Sequence, residues 1–403
     1  MALPPLAIYI HIPWCEKKCP YCDFNSHKKV DALPEADYIK ALCNDFDRDF
    51  EIANRVSPQS NHGLGEPRKI HSIFIGGGTP SLFRPSSIKY LLEHIKSKTS
   101  HSPNIEITLE ANPGSAEAEK FCGYKEAGVN RLSIGVQSFN DKNLTRLGRL
   151  HSGNQSQKAI TLAKDAGFIN YNIDIIHTLP GQTVENGLRD LETALAFNPP
   201  HLSWYELTIE RNTVFYSSPP SLPNEIIAQK LFELGTKKLE ANGLQQYEIS
   251  AYCKKEKPSS HNYNYWQFGD YLGIGAGAHG KISYSGGDIY RSIKKKQPNG
   301  YLKDFLNPPV SAKNYQNFKL IKADQISIEF LLNSLRLREG FSVELYEQRT
   351  NLDFSQIAHT VDKMISKGLM RRVENNITTT DTCLLYTSPS PRDLSTSRMP
   401  SSA

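Results

Sequence analysis

Long apolar runs are missing from the 403-residue chain. No stretch of about 18 consecutive apolar residues occurs, so the sequence predicts no membrane-spanning helix. The opening segment MALPPLAIYIHIPW lacks a basic region and leads directly into a strand pattern, which argues against a targeting peptide. We therefore expect a cytoplasmic protein. An excess of one charge is missing too, because 47 Lys and Arg against 42 Asp and Glu leave a net charge of +5. This balance gives no indication of a nucleic-acid partner.

Cysteine is present in an odd number and without the distribution of a disulfide framework. Three of the seven cysteines, Cys15, Cys19 and Cys22, lie within eight residues of one another. The other four are scattered: Cys43, Cys122, Cys253 and Cys383. In a large chain without an export signal, a tight cluster indicates metal ligation rather than cross-linking. We therefore expect a reducing compartment.

Short apolar segments bounded by Gly, Pro or Asn recur in the first half of the chain and predict buried parallel strands. The six predicted strands are Leu6–Ile12, Lys69–Ile75, Ile105–Ala111, Val129–Gly135, Ile169–Ile176 and His201–Leu207. Helical patterns follow them near residues 36–54, 85–98, 115–127, 154–166, 184–197 and 224–241. Six strand–helix units predict an α/β fold, either an open doubly wound sheet or a partial barrel. Polar residues after each strand favour the second, a partial (β/α)6 barrel of the TIM type.

The pattern changes after the predicted barrel. Residues 1–244 hold the strand–helix units, and residues 245–314 read as short strands and turns that include the aromatic HNYNYW segment. Residues 315–380 return to helical periodicity and end in a strand-like segment, which predicts a small helical or winged-helix-like appendage. Residues 381–403 are rich in Ser and Pro and show no periodicity, so we expect a non-native or disordered tail.

The cysteine cluster has the spacing Cys15-x3-Cys19-x2-Cys22 and directly follows the first predicted strand. Three thiolates at this spacing can bind three corners of a cubane iron–sulfur cluster and leave the fourth iron without a protein ligand. The amino and carboxylate groups of a small molecule can chelate such an open iron. The alternative is a zinc site. Its fourth ligand would come from one of three neighbouring side chains: His11, His27 or Asp23.

The second predicted strand is followed by glycines, and the third ends in a carboxylate. The segment Gly76-Gly77-Gly78-Thr79-Pro80 follows the second strand, and consecutive glycines let backbone dipoles approach an ammonium or carboxylate group closely. Glu110 ends the third strand, where a carboxylate suits a ligand's ammonium group or ribose hydroxyls. The glycine segment could instead be only a tight turn. Glu110 could instead interact with the N-terminus of a helix.

Three more polar side chains are associated with the later strands: Gln137, Arg149 and Asp174. Arg149 can donate two parallel hydrogen bonds to a carboxylate. Gln137 and Asp174 can hydrogen bond to a ribose or to the edge of an adenine. Taken singly, each is more often a structural or solvated polar group. Taken together, one at each strand end, they indicate a ligand site.

The HNYNYW segment, residues 261–266, combines a histidine with several large aromatic side chains. Such a segment offers an axial iron ligand and flat surfaces on which a macrocycle can stack. An aromatic cluster packed beneath a loop is the alternative.

These motifs carry a family resemblance that extends over about residues 5–380. YIHIPWCEKKCPYCDFNSH resembles the opening of the coproporphyrinogen-dehydrogenase-like group of the radical S-adenosylmethionine (SAM) superfamily, and most of all its HemW-type haem-chaperone branch. The resemblance implies a [4Fe–4S] cluster on Cys15, Cys19 and Cys22, with SAM on the open iron. It implies SAM contacts from nine residues: Tyr9, Tyr21, Gly77, Gly78, Thr79, Glu110, Gln137, Arg149 and Asp174. The segment HNYNYW matches the branch's HN-x-x-YW motif, which implies haem binding by His261, Asn262, Tyr265 and Trp266.

The resemblance also implies a function and its alternative. A haem chaperone would bind haem and transfer it to acceptor haemoproteins, some at the respiratory membrane, as a monomer or a homodimer. The alternative is an oxygen-independent coproporphyrinogen III dehydrogenase of porphyrin biosynthesis. Phe24 stands where those dehydrogenases have a fourth cysteine, which favours the chaperone. Ser259 stands where chaperone relatives tend to have a cysteine, so a thiol contribution to haem attachment is not expected there. No catalytic residue is assigned, and SAM cleavage stays open.

Overall fold

The computed structural model of the chain describes residues 3–29, 31–60, 62–306, 318–381 and 383. Residues 307–317, which fall in two of the predicted regions, lie outside the described residues, and so does the expected tail apart from Asp381 and Cys383. The strands of the described residues are, in chain order, β1 Leu6–Ile12, β2 Trp14–Cys15, β3 His27–Lys28, β4 Ile70–Gly77, β5 His101–Ala111, β6 Arg131–Gln137, β7 Tyr171–His177, β8 His201–Glu206, β9 Gln245–Glu248, β10 Ala251–Cys253, β11 Asp270–Ile274, β12 His279–Ser283, β13 Ile289–Ile293, β14 Phe318–Leu320, β15 Phe341–Ser342, β16 Met370–Val373 and β17 Asn376–Thr379.

Helices connect most of these strands, and a short 3₁₀ turn follows β4 at Pro80–Leu82. The α-helices of the described residues are α1 Glu35–Ala53, α2 Pro85–Lys98, α3 Ser115–Ala118, α4 Phe121–Glu126, α5 Asp141–Arg146, α6 Gly153–Asp165, α7 Val184–Ala196, α8 Val214–Ser217, α9 Glu225–Ala241, α10 Ser260–Trp266, α11 Pro298–Leu306, α12 Ala323–Ser334, α13 Val343–Thr350 and α14 Ser355–Ser366.

The centre of the fold is a run of six parallel strands in the order β1-β4-β5-β6-β7-β8. All seven residues of β1 are buried, as expected for a strand covered on both faces. One face of the sheet packs its apolar side chains against the helices in a single large core. The predicted α/β fold is confirmed, and the ends of the six predicted strands differ from the observed ends by at most four residues.

The other face of these strands is concave and carries polar side chains. Tyr205 on β8 donates a hydrogen bond to Gln137 on β6, 2.7 Å away, across the intervening strand β7. The charges of Glu110 on β5 and Asp174 on β7 likewise act on each other across β6. Contacts that skip a strand are those of a curved sheet, so this face lines the interior of a partial barrel, called the lumen below.

Strands β11 to β14 extend the sheet beyond β1. β11 runs parallel to β1, and β12, β13 and β14 continue it in antiparallel order. A buried ionic group ties this extension to the barrel, because Asp270 accepts from Lys281 at 2.7 Å and from Arg68 at 2.8 Å. Burial alone would raise the pKa of Asp270. The charges of Lys281 and Arg68 outweigh that effect, and the pKa is lowered.

The C-terminal appendage consists of α12, α13 and α14 with the antiparallel sheet β15-β17-β16. β15 lies between α12 and α13, and the hairpin of β16 and β17 follows α14, an order that agrees with the predicted winged-helix-like appendage. Its apolar core includes Phe330, Tyr346 and Val361, and it is shared with Ile289 of the sheet extension and with Phe268, which precedes β11. The appendage is therefore anchored to the extended sheet.

Two local predictions are wrong. Residues 115–127 do not form one helix, because the N–H of Lys120 bonds to Glu117 at the tighter i−3 spacing and separates α3 from α4. The HNYNYW segment is not strand or turn but the helix α10. The Ser259 side chain accepts a hydrogen bond from the N–H of Asn262 and thereby caps this helix, a role that Ser fills well.

Candidate functional site

The three clustered cysteines lie in a closed loop directly after β1. The short strands β2 and β3 pair in parallel and bring the two ends of this loop together. The N–H of Cys22 bonds to the carbonyl of Cys19 at 3.1 Å, and the charges of all three thiols act on one another. No disulfide joins any of the seven cysteines, all of which lie in the described part of the chain. The loop therefore gathers three reduced thiols that remain partly exposed.

The surroundings of these thiols disfavour the free thiolate. Burial raises the pKa of Cys22 to about 11, and it raises the pKa of Cys15 as well. The hydroxyls of Thr79 and Ser26 and the charge of Arg149 lower the pKa of Cys15 by less than burial raises it. Thiolates in such a setting are stabilised by the positive charge of a bound metal centre. The sulfur donor set fits an iron–sulfur cluster.

The zinc alternative requires a nitrogen or oxygen ligand beside the thiols. Both ring nitrogens of His11 are already hydrogen bonded, Nδ1 to the Tyr9 hydroxyl at 3.0 Å and Nε2 to the Asn25 carbonyl at 2.9 Å. Nε2 of His27 lies 3.2 Å from the carbonyl oxygen of Lys296. Because both ring nitrogens of His11 are occupied, His11 is disfavoured as a zinc ligand.

The glycine turn after β4 packs directly against the cysteine loop. The N–H of Gly78 donates to the carbonyl of Ile12 at 2.7 Å, and a Cβ at Gly78 would lie 2.5 Å from the carbonyl oxygen of Trp14. Gly77 has a φ of 119°, and its N–H donates to Glu110 at 3.0 Å. Glycine is required here because the turn approaches backbone closely in a conformation that other residues avoid. The turn, the loop and β5 therefore form one unit.

This packing makes Gly78→Ala a sharp test of the unit. The added methyl group must displace the backbone at Trp14, next to Cys15, and overpacking of this kind costs about 1–3 kcal/mol. We expect a lower melting temperature and a lower iron and sulfide content in the purified variant. Gly286→Ala is the matched control, because nothing lies within 4 Å of a Cβ there. Equal iron content and stability in both variants would contradict the packing described.

Glu110 and Asp174 place two carboxylates on the lumen face near the glycine turn. Burial raises the pKa of Glu110 well above its usual range, and the charge of Asp174 raises it further. Burial also raises the pKa of Asp174, which accepts hydrogen bonds from Ser133 at 3.1 Å and Asn172 at 2.7 Å. Two carboxylates with raised pKa values favour a cationic or hydroxyl-bearing ligand, which would stabilise their ionised forms.

Arg149 connects the cysteine loop with two strand ends. Its Nη2 donates to Asn112 Oδ1 at 2.6 Å and to the Gly135 carbonyl at 2.8 Å, and its Nη1 lies 3.8 Å from Cys19 Sγ. Asn112 in turn donates to Thr79 Oγ1 at 3.0 Å. This chain of contacts fixes a cation beside the thiols and beside the glycine turn. A guanidinium in this position can bind a carboxylate.

The structure brings most of the nine residues predicted to contact SAM to the carboxyl ends of the strands. Gln137 ends β6 in a left-handed conformation with a φ of 68°, an uncommon conformation for this residue type. Tyr21 lies in the cysteine loop with its ring 6.4 Å from that of Phe215. Tyr9 is different, because it is buried in the lumen with its ring 6.3 Å from Phe74. The individual SAM contacts stay predictions.

The four residues predicted to bind haem lie at the opposite end of the barrel. Nδ1 of His261 is 3.2 Å from Ser72 Oγ near the start of β4, and the His261 N–H donates to Glu106 in β5. Tyr265 and Trp266 pack on Ala7 near the start of β1. α10 therefore covers the amino ends of the strands, whereas the cysteines follow the carboxyl end of β1.

Comparison with known proteins identifies the family. Residues 9–194 match the radical SAM superfamily, and residues 322–385 match the HemN C-terminal domain. A curated relative from Haemophilus influenzae, "Heme chaperone HemW", is 47% identical over 93% of this chain and 93% of its own length. The chain belongs to the HemW family. A relative of the same name from Escherichia coli is 43% identical over 91% of this chain and 92% of its own length.

Membership of the HemW family confirms the resemblance seen in the motifs. Among solved structures, coproporphyrinogen III oxidase (HemN) from Escherichia coli superposes with a TM-score of 0.73 at 22% identity, covering 95% of this chain and 88% of that chain. This likeness supports the fold, with its partial barrel and appendage. A radical SAM domain implies a [4Fe–4S] cluster and SAM as cofactors. Within the described residues, no helix is both long and apolar enough to cross a membrane.

Several residues that shape this HemW-family site were not singled out from the sequence. Asn112 orients Arg149, Asn25 accepts from His11, and Ser133 and Asn172 donate to Asp174. Ser133 and Asn172 could have been found from strand alternation, because polar residues at every second position of a predicted strand indicate a polar face. Asn25 carries no such signal, because its role depends on loop geometry.

Proposed function

We propose that this protein is a haem chaperone that holds a [4Fe–4S] cluster on Cys15, Cys19 and Cys22 and binds SAM at the open iron. The observation that carries the cofactor assignment is the contact between the cysteine loop and the glycine turn, with Arg149 fixed beside both. Three thiols, a backbone turn and a cation meet there at the carboxyl end of the barrel. The names and the extent of similarity of the HemW relatives support the chaperone assignment.

The residues of the site divide the binding of SAM between them. Gly77 and Glu110 would hold the ammonium group, Arg149 the carboxylate, and Gln137 and Asp174 the ribose or adenine edges. When bound, a reduced cluster can supply an electron to the sulfonium of SAM. The chain's own part is to keep the three thiols together, to exclude competing ligands and to orient SAM.

The proposal includes haem at α10, with His261 as the axial ligand and Asn262, Tyr265 and Trp266 around it. The acceptors would be haemoproteins, including those of the respiratory membrane. A reducing compartment such as the cytoplasm suits the seven cysteines, since the described chain links none of them in a disulfide.

The proposed function is tested by haem transfer. Protein loaded with one equivalent of haem is mixed with an apo-haemoprotein, and the acceptor's absorption bands are followed with and without reconstituted cluster and SAM. The account expects acceptor spectra to develop faster than with free haem at the same total concentration. Haem that stays on the chain, or transfer no faster than from solution, would contradict a chaperone.

The coproporphyrinogen III dehydrogenase alternative is less well supported, because Phe24 occupies the position of a fourth cysteine. Incubation of the reconstituted protein with coproporphyrinogen III, SAM and a reductant separates the two functions. We expect haem binding without vinyl product. Steady formation of vinyl product would favour the enzyme instead.

SAM affinity should fall as the pH is lowered. The pKa of Glu110 is raised by burial, so the ionised form that attracts an ammonium group is lost at a higher pH than for an ordinary carboxyl group. Calorimetric titration of the reconstituted protein with SAM over a pH series measures this effect. Glu110→Gln should bind more weakly at high pH and show a flatter profile, with Glu374→Gln, at an exposed position of the appendage, as the control. Parallel pH profiles of wild type and Glu110→Gln would exclude Glu110 from the ammonium site.

A further inference from the structure

A buried cation lies in the lumen outside the cluster and SAM residues. Arg131, the first residue of β6, is 2% exposed and ranks among the largest fully buried side chains. Its strand neighbours Leu132 and Ile134 belong to the apolar core on the helix side of the sheet. Because successive side chains of a strand point to opposite faces, the guanidinium points into the lumen.

This guanidinium is incompletely paired. Nε of Arg131 and Oγ1 of Thr108 are both buried, and neither has a hydrogen-bond partner among the residues that the structure describes. The two residues are direct register partners on β6 and β5. In the same part of the chain no carboxylate lies within ion-pair distance of Arg131, and Asp174, whose charge acts on it, is hydrogen bonded to Ser133 and Asn172. A buried, unpaired cation beside an unpaired hydroxyl points to an anionic ligand.

The same layer of the lumen holds the candidate haem ligand. Tyr9, Phe74, Thr108 and Arg131 follow one another as register partners on four adjacent strands. The ring of His261 lies 5.1 Å from that of Phe74 and 6.4 Å from that of Tyr9. The charge of Arg131 acts on His261. One layer therefore combines an imidazole, two flat aromatic surfaces and a cation.

The orientation of His261 is compatible with a metal ligand. Its Nδ1 is paired with the hydroxyl of Ser72, and hydrogen bonding of one ring nitrogen is the usual way in which a protein orients the other toward a metal. Burial, with smaller contributions from His71 and Arg131, lowers the pKa of His261 to about 3. α10 closes over the layer, whose members are at most 2% exposed, so the described packing is that of the haem-free protein and this end of the lumen must open for haem to enter. The buried indole N–H of Trp266 in α10 also has no hydrogen-bond acceptor in the described chain. The packing of α10 against the barrel therefore leaves one buried donor without a partner among the described residues.

We propose that Arg131 and Thr108 form a carboxylate-binding subsite at the α10 end of the lumen and that its ligand is a propionate group of haem. This inference rests on the proposed function and adds to it a second anchor, distinct from the axial ligand. A propionate at Arg131 fixes the rotation of the macrocycle about the iron, which a single axial bond does not. It also makes haem binding depend on the free carboxylates of the porphyrin.

The experiment compares haem with haem dimethyl ester, in which both propionates are blocked. Each is titrated into wild type and Arg131→Met, and binding is followed by absorption. We expect Arg131→Met to weaken haem binding about ten- to a hundredfold, as for loss of a charged hydrogen bond, and to leave ester binding within about twofold. Thr108→Val should weaken haem binding by less, and Arg131→Lys should restore part of it. Arg371→Met, on the exposed surface of the appendage, is the control for a lost positive charge.

Folding and SAM binding are checked in the same variants. Replacing an unpaired buried cation by Met is expected to leave the melting temperature of haem-free protein unchanged or higher. Equal affinities of wild type for haem and its dimethyl ester would overturn the subsite while leaving the chaperone function standing. A wild type that binds neither would overturn both. Loss of SAM binding in Arg131→Met with unchanged haem binding would assign the cation to SAM and likewise overturn the proposal.

Discussion

Cys19→Ser should yield an almost colourless protein that retains little iron or sulfide after anaerobic purification and reconstitution. The thiol lies in the loop between β2 and β3 and is the one that Arg149 approaches, 3.8 Å away. A hydroxyl is a poor substitute for a thiolate toward iron, and two remaining thiols leave half of the cluster without protein ligands. Iron and acid-labile sulfide assays, together with the absorption spectrum, measure the effect.

The matched control for this variant is Cys122→Ser. Cys122 lies in α4 and is exposed, away from the loop, so its loss should leave iron and sulfide at the wild-type level. Because α10 lies at the other end of the barrel, Cys19→Ser should also keep its affinity for haem. A Cys19→Ser protein with the iron and sulfide content of wild type would refute the ligand assignment.

His261→Ala is expected to weaken haem binding by at least tenfold, about 1.4 kcal/mol, and to shift the Soret band. The imidazole is a side chain of the lumen layer that can ligate the iron, and its Nδ1 is paired with Ser72. Because α10 covers the amino ends of the strands and the cysteines follow the carboxyl end of β1, the variant should retain the iron and sulfide of wild type. Haem titrations with and without reconstituted cluster measure both expectations.

His359→Ala serves as the control, because His359 is an exposed residue of the appendage. Circular dichroism and thermal unfolding of His261→Ala check that α10 still packs on the barrel. If a folded His261→Ala binds haem with the wild-type affinity and spectrum, His261 is not the axial ligand. If the cluster is lost together with haem, the two ends of the barrel are not independent.

The barrel and its cofactor end could be predicted from the sequence because both depend on local patterns. Buried parallel strands are short apolar runs, and their carboxyl ends meet at one edge of the sheet. Cys15, Gly77 and Glu110 each follow or end such a run, so their proximity follows once the strands are placed. The observed contacts between the cysteine loop, the glycine turn and Glu110 agree with this expectation.

The opposite end of the barrel could not be predicted in the same way. α10 spans only seven residues, too few for a helical period to be distinguished from a run of aromatics in a loop. Its position is set by tertiary contacts, since His261 reaches Ser72 across 189 residues of sequence. Arg131 likewise looks like an ordinary strand residue, because the sequence does not reveal that a buried guanidinium is left without a partner.

Metal and sulfide analysis of the wild-type protein, purified without oxygen, tests the central claim most directly. The account predicts about four iron and four sulfide per chain and little zinc, because three thiolates with an open fourth position hold a [4Fe–4S] cluster. About one zinc per chain with no sulfide would contradict it, and the cysteine loop would then be a structural metal site without a place for SAM.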